Sequence, residues 1–378
     1  MRYYLIAGEA SGDLHGSNLM RALREKDPHA VFRFWGGDRM ASVGGSENLA
    51  RHYKTASFFG VSEILRHLPE ILSQVAECRN DITEFAPDVL IAIDYPGFNF
   101  KMVKFAHDMG IRTIYYISPK VWAWNSSRVK LIRRYVDNLF IIFPFEVDYF
   151  RRRGIEAVYE GNPIMDSIAS AMTSLPTREQ FCASRNLDNR PIVALLAGSR
   201  KSEIKHTLPF MVRLAARFPD YQFVVAGVSW IDPQLYGGLL DGSGIKLVTD
   251  STYALLKYSA VAVVTSGTAT LETALIGTPE VVCYRMDAFS YWVARLFVKI
   301  RFVSLVNIIL GREAVRELLQ YDMTVDNAAT ELAAVMPGGA KHDRQQSDYD
   351  ELRQKIGGAG ASDRFAARII SILKQSAG

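Results

Sequence analysis

In "IAIDYPGFNFK" (Ile91–Lys101) a strand-like apolar run delivers Asp94 to its C-terminal end, and a Tyr95-Pro96-Gly97 turn follows at once. A carboxylate there stands at the carboxyl end of a strand, where open α/β sheets bind ligands. Two more acids, Glu9 and Asp13, lie in "AGEASGDLHG" (Ala7–Gly16) among Gly8, Ser11, Gly12 and Gly16. This spacing does not match GxGxxG, and no dinucleotide fingerprint stands in register with a strand elsewhere, which disfavours a nicotinamide dehydrogenase. Gly8 and Gly12 would let the backbone approach a ligand closely. The plainer reading is a tight strand-to-helix turn, with Ser11 or Asp13 as the helix cap.

Three further stretches suit anions and hydroxyls. In "LLAGSRKSEI" (Leu195–Ile204) a buried strand opens into Gly198-Ser199-Arg200, with a helix expected from about Ser202. Helix-start N–H groups beside a guanidinium fit a diphosphate, although an exposed Arg after a Gly turn is equally ordinary. "VTSGTATLETA" (Val264–Ala274) repeats the strand, turn and helix pattern. Ser266 and Thr268 would cap the helix or hold phosphate, with Gly267 between them, and Glu272 would accept hydrogen bonds from the vicinal hydroxyls of a ribose. Two such helix starts with a carboxylate behind one of them point to a nucleotide. In "SLVNIILGRE" (Ser304–Glu313) Asn307 sits in an apolar stretch and must find partners, in the backbone or in a ligand; the backbone is the favoured reading.

These residues need a scaffold, and the chain spells one. Short runs rich in Val, Ile and Tyr alternate with longer amphipathic stretches, the pattern of βα units around parallel sheets. Strands are expected at Tyr3–Ala7, Val31–Trp35, Val89–Ile93, Arg112–Ile117 and Leu139–Phe143. A second set falls at Ile192–Ala197, Gln222–Ala226, Ile245–Val248, Ala260–Val264 and Val281–Cys283. Most of the clusters above follow such a strand, where open α/β sheets bind ligands. Two doubly wound domains result, joined by a linker near Gly161–Ser174. Apolar stripes predict two helices, one on Val61, Ile64, Leu65 and Leu68 and one on Ile71, Leu72, Val75 and Ala76, separated by Pro69. A C-terminal helix is predicted on Phe365, Ile369, Ile370 and Leu373, and Pro337–Ser347 reads as a loop.

The 378 residues are 49% hydrophobic and 22% charged, with Lys and Arg exceeding Asp and Glu by 44 − 40 = 4. The basic lean without charge runs excludes a nucleic-acid tail and leaves acidic small molecules or anionic lipid as partners. Cys78, Cys182 and Cys283 form no CxxC pair, so neither a disulfide framework nor a zinc site is expected. The seven histidines show no HExxH spacing, and there is no GxSxG elbow. No apolar run reaches the roughly 20 residues that span a bilayer. The apolar stretches Ala56–Leu72 and Ala288–Leu305 read as core by default, but the second mixes Tyr291, Trp292, Phe297 and Phe302 with Arg295, Lys299 and Arg301, a composition suited to a membrane surface.

With "GEASGD", "ISPKVWAW" (Ile117–Trp124), "AGSR", "SGTATLE", "YRM" (Tyr284–Met286) and "SLVNIILGRE" in order, the chain resembles the lipid-A-disaccharide synthase family over nearly its whole length. The resemblance implies two Rossmann-like domains facing a cleft, the GT-B fold, divided as 1–163 (acceptor and membrane side), 164–350 (UDP-sugar side) and a helical tail at 351–378 that returns to the first domain or is exchanged in a homodimer. It implies an inverting transferase, independent of metal and cofactor. Such an enzyme joins UDP-2,3-diacylglucosamine to 2,3-diacylglucosamine 1-phosphate (lipid X) through a β(1→6) link at the inner face of the Gram-negative inner membrane. The donor would be held by Gly198, Ser199, Arg200, Ser266, Gly267, Thr268, Glu272, Tyr284, Arg285, Asn307 and Glu313. The acceptor would face Gly8, Ser11, Gly12, Asn99, Ser118 and Trp122.

Two positions depart from the family pattern. The family commonly carries a second aspartate, its usual candidate base, where this chain has Gly97, which leaves Asp94, Asp13 or Glu9 to take the proton. Asn162 in "EGNPIMD" stands where the family often has His. A different UDP-sugar enzyme of the same fold, an epimerase or muramyl-type transferase, is one rival reading. An inert UDP-sugar-binding membrane protein is the other.

Overall fold

The computed structural model describes residues 1–55, 68–122, 126–285 and 301–376. Its chain forms two compact units, Met1–Asp166 with Gly358–Gly378, and Ser167–Gly357.

The first unit is built on seven parallel strands: β1 Arg2–Ala7, β2 Val31–Gly36, β3 Leu49–His52, β4 Val89–Ile93, β5 Arg112–Tyr116, β6 Asn138–Ile141 and β7 Ala157–Tyr159. They lie in the order β3-β2-β1-β4-β5-β6-β7. Alternate residues of β1 serve opposite faces. Tyr3, Leu5 and Ala7 pack with Leu19, Met20 and Leu23 of the Ala10–Lys26 helix and with Phe365, Ile369, Ile370 and Leu373 of the Ala361–Ser376 helix. Tyr4 and Ile6 pack with Val75, Cys78 and Ile82 of the Leu68–Phe85 helix and with Phe98, Met102 and Val103 of the Pro96–Asp108 helix. Burial on both faces is why these strands read as unbroken apolar runs.

Asp166 fastens the C-terminal helix to this unit. One carboxylate oxygen accepts from the Gly360 and Ala361 N–H groups at 2.5 and 3.1 Å, and the other from Ser362 at 2.7 Å. A negative side chain satisfying the otherwise orphaned first N–H groups also complements the helix dipole.

The second unit carries β8 Ile192–Leu196, β9 Gln222–Gly227, β10 Lys246–Thr249, β11 Ser259–Val264, β12 Glu280–Tyr284 and β13 Arg316–Leu319, all parallel, in the order β10-β9-β8-β11-β12-β13. The His342–Ile356 helix is anchored here through Gln345, whose amide exchanges two hydrogen bonds with the Glu280 backbone at 2.9 and 3.0 Å.

Several expectations change. The Gly161–Ser174 linker is mostly a helix, Ile164–Met172. His342–Ser347, read as loop, is helical: its buried stripe begins with Gln345 and Asp348 before Tyr349, Leu352 and Ile356, so apolar periodicity is hidden at the start. Only the second of the helices flanking Pro69 lies in the described residues, and Pro69 stands in its first turn, where a missing N–H costs nothing. That helix buries Gln74, Val75, Cys78 and Ile82, while Leu72 is 56% exposed, so the predicted stripe is rotated from the true one. The strands β3, β7 and β13 were not foreseen.

Candidate active site

In each unit the strand order reverses once, beside β1 and β4 in the first sheet and beside β8 and β11 in the second. Such switch points open a crevice at the carboxyl ends of the strands. Four of the polar stretches singled out in the sequence follow these four strands; Ser304–Glu313 does not.

In the first unit β1 ends at Ala7 opposite Ile93 of β4. Gly8 follows the one and Asp94 the other. Asp94 and Tyr95 both adopt left-handed backbone, with φ of 43° and 45°. Two successive non-glycine residues in this region store strain of about 1–3 kcal/mol each. The strand end is braced to hold them: the Asn99 amide donates to the carbonyls of Ile6, Ile93 and Asp94 at 3.3, 3.2 and 2.8 Å, and the Tyr115 hydroxyl donates to the Asp94 carbonyl at 2.7 Å. Tyr95 then turns its ring over Gly8, where a Cβ would lie 2.2 Å from a ring carbon, so only glycine fits.

Burial lifts the Asp94 carboxyl from 3.8 to about 6; the Lys120 ammonium opposes the shift and the Glu9 charge adds to it. Its backbone therefore aims a carboxyl poised near neutrality from the strand end, as a general base requires. The other acids fare differently. Asp13, offered as a base, is buried, and its oxygens accept from the N–H groups of Gly37, Met40 and Arg39 at 2.7, 3.0 and 3.1 Å, fixing the start of the Asp38–Gly44 helix. Glu9 accepts from the Ser11 hydroxyl at 2.7 Å. Neither Ser11 nor Asp13 caps the Ala10–Lys26 helix, whose N-cap is Glu9 without a side-chain bond.

The remaining first-unit residues divide. Asn99 is fully buried, and its amide nitrogen braces the strand ends and the turn. Gly12 packs against Ala7, where its Cβ would lie 3.2 Å from that residue's own. Ser118 is buried and donates to the Pro119 carbonyl at 3.1 Å. Trp122 is partly open, with its indole N–H on Glu146 Oε1 at 3.0 Å and its ring edge against Phe145. Glu146 was missed in the sequence. It is buried, its second oxygen accepts from the Phe143 N–H at 3.1 Å, and burial raises it to about 7 against these bonds and the Lys120 charge. Asn162 is buried with its carbonyl oxygen accepting from the Ile164 N–H at 3.0 Å.

In the second unit β8 leads into Gly198-Ser199-Arg200. Gly198 has φ 110°, and Glu203 reaches back to accept from the Ser199 and Arg200 N–H groups at 3.0 and 3.2 Å. The helix start expected to meet a diphosphate is thus closed by its own first turn. The Arg200 side chain, 62% exposed, extends from this clamped loop. The Thr268–Ile276 helix after β11 differs: its N-cap Gly267 provides no side chain, and Ser266 donates instead to the Val303 carbonyl at 3.1 Å. Glu272, one turn on, accepts from the Tyr253 hydroxyl at 2.6 Å, and burial raises its carboxyl. Tyr284, at the end of β12, is close enough to feel the charges of Glu203 and Arg200.

Three residues assigned to the donor have partners within the protein. Asn307 is fully buried; its amide donates to the Val315 carbonyl and Glu317 Oε1, both at 2.8 Å, and its oxygen accepts from the Ala314 and Val315 N–H groups at 2.7 and 2.9 Å. No donor or acceptor is left for a ligand. Glu313 pairs on the surface with Arg316 at 3.2 Å, and Arg285 donates to the Gln320 carbonyl at 3.0 Å. Met286, Trp124 and most of the apolar stretches Ala56–Leu72 and Ala288–Leu305 fall outside the described residues. Among the described residues no helix is long and apolar enough to cross a membrane, and no group of three His, Cys, Asp or Glu is placed to hold a metal.

Known proteins agree with this architecture. A lipid-A-disaccharide synthase of Myxococcus xanthus is 38% identical over 98% of this chain and 97% of its own, and one of Geobacter sulfurreducens is 34% identical over 98% and 97%. Among solved structures, UDP-GlcNAc 2-epimerase of Neisseria meningitidis bound to UDP-GlcNAc superposes with a TM-score of 0.70 at 13% identity, covering 98% of this chain and 100% of that one. The glycotransferase of kitacinnamycin gives 0.58 at 16%, covering 98% and 99%. These likenesses establish the fold class, two Rossmann-like domains of the GT-B type. The family model for lipid-A-disaccharide synthetase matches residues 3–369, and the chain belongs to that family.

Proposed function

We propose that this protein transfers the diacylglucosamine unit of UDP-2,3-diacylglucosamine to the 6-hydroxyl of 2,3-diacylglucosamine 1-phosphate, forming the β(1→6) disaccharide 1-phosphate and UDP. Family membership supports the reaction. The observation that carries the site is the coincidence of Asp94 with one topological switch point and of the Arg200 and Thr268 turns with the other.

In this reading the second unit takes the donor. The uncapped start of the Thr268–Ile276 helix offers N–H groups and the positive end of the dipole to the diphosphate, and Arg200 adds a guanidinium. Glu272, steadied by Tyr253, accepts from the ribose hydroxyls. The first unit takes the acceptor beside Trp122 and the Gly8 to Ser11 turn. Asp94 removes the 6-hydroxyl proton as that oxygen bonds to the anomeric carbon. The bond from that carbon to the UDP oxygen breaks on the opposite face, so configuration inverts, and the charge leaving on UDP is met by Arg200 and the helix start. Asp94 is preferred over Asp13, whose oxygens are engaged, and takes the place left by Gly97. The basic, aromatic stretch before Leu305 draws acylated substrates from an anionic membrane, placing the protein peripherally at the inner face of the inner membrane, as a homodimer.

The test compares Asp94→Asn with wild type, measuring disaccharide 1-phosphate formation and UDP binding together. A loss on the order of 10²-fold or more in rate with UDP binding intact is expected. A variant nearly as active as wild type moves the base elsewhere.

A further inference from the structure

Trp230 is 54% exposed, an unusual setting for the largest side chain. It lies in the turn after β9, directly beside the end of β8 in the second sheet. Its indole N–H donates to the Ser199 carbonyl at 3.0 Å. The same Ser199 residue gives its own N–H to Glu203, so the turn bearing Arg200 is held from both sides. The ring has therefore satisfied its one polar atom within the protein and still presents much of its surface to solvent. Neither core packing nor an unmet hydrogen bond accounts for that exposure. What remains is an immobilised aromatic surface at the ligand-binding edge of the sheet, next to a guanidinium.

We propose that Trp230 is the platform on which the donor's base stacks. A pyrimidine ring carries a polar edge and an apolar face, and an indole already fixed in place loses little freedom in meeting it. Arg200 lies on the neighbouring turn, Glu272 follows β11 on the far side of β8, and Trp230 follows β9, so diphosphate, ribose and base each meet a group of matching chemistry along one edge. This inference rests on the nucleotide reading above and adds the residue that recognises the base. Nothing in "VAGVSWIDP" (Val225–Pro233) marks the residue in the sequence; its exposure and its bond to Ser199 do.

Titration calorimetry and tryptophan fluorescence of the full chain decide it, with UDP and inorganic diphosphate as probes. UDP is expected to change the fluorescence of wild type, and Trp230→Phe to bind UDP with most of that change gone. Trp230→Ala should bind UDP about tenfold more weakly, the loss typical of a removed stacking partner, while its affinity for diphosphate stays within about twofold. Equal weakening for UDP and diphosphate would mean that Trp230 only props the Arg200 turn, overturning the stacking role. Unchanged UDP affinity in Trp230→Ala would also overturn it. Failure of wild type to bind UDP at all would remove the nucleotide reading and this inference with it, a result distinct from either variant's.

Discussion

The state of Asp94 should be visible in the pH dependence of the reaction. Its carboxyl is raised to about 6 by burial, with the Lys120 charge pulling the other way. A base must be ionised to act, so kcat/KM should climb about tenfold per pH unit below 6 and level off above. Between pH 5 and 7.5 the ionised fraction rises from roughly 9% to roughly 97%, so the rate should rise about elevenfold; an aspartate with an ordinary carboxyl pKa would change by less than about 1.2-fold. Glu146 also titrates nearby, at about 7, and must be separated. Steady-state rates measured from pH 4.5 to 8.5 on wild type, Glu146→Gln and Lys120→Met do this. The limb should keep its midpoint in Glu146→Gln and move upward in Lys120→Met, where a charge that favours ionised Asp94 is gone. Stability offers a second reading. A raised carboxyl stabilises the fold least once ionised, so the stability present below about pH 4 is lost as pH rises through 6, and Asp94→Asn should be more stable than wild type at pH 8 by on the order of 1–3 kcal/mol. A flat rate profile between pH 5 and 7.5, or a limb that disappears in Glu146→Gln, would refute the assignment.

Three further outcomes are expected. Asn307→Ala strands the Ala314 and Val315 N–H groups, takes a donor from the Val315 carbonyl and removes one of the bonds to Glu317, and should cost about 3 kcal/mol or more in urea unfolding with UDP affinity of the folded protein unchanged; full stability with lost UDP binding would contradict this. Glu280 is fully buried, with neither carboxylate oxygen hydrogen-bonded and with Glu317 nearby, and is raised well above its ordinary 4.5. Its contribution is complete below that value and declines by up to about 1.4 kcal/mol per pH unit as pH rises towards the folded value, so Glu280→Gln should melt higher than wild type at pH 8 and not at pH 4.5; equal melting at pH 8 would count against it. Glu203→Ala opens the Lys201–Ala215 helix start and should lower stability by about 1–2 kcal/mol, read by the urea midpoint at constant slope; no change would mean that the cap carries no weight.

Much of the scaffold was legible because both sheets are parallel and covered on both faces. Val89–Ile93 and Ile192–Leu196 are buried at every position, so each reads as an unbroken apolar run ending at a polar turn. The strands that escaped notice lack that signature. Leu49–His52 is half-exposed throughout, Ala157–Tyr159 has three residues, and "RELL" of Arg316–Leu319 suits a helix as well as a strand. The His342–Ile356 helix buries Gln345 and Asp348, polar residues whose reason lies in partners far along the chain. The site follows the same division. Placement after a strand end is local, so the Asp94, Arg200 and Thr268 turns could be found. Occupancy is not local: that Glu203 closes one helix start, that Asp13 serves the Asp38–Gly44 helix, and that Asn307 exhausts its amide on Val315 and Glu317 are facts of tertiary pairing. Trp230 and Glu146 needed exposure and burial to stand out, and neither is written in composition or spacing.

The most direct measurement supplies wild-type protein with the 1-phosphate acceptor and either UDP-2,3-diacylglucosamine or unacylated UDP-N-acetylglucosamine, and identifies the products by mass and linkage. β(1→6) disaccharide 1-phosphate and an equivalent of UDP are expected from the acylated donor. An inert protein that binds UDP, or conversion of the unacylated sugar nucleotide to its 2-epimer, would contradict it.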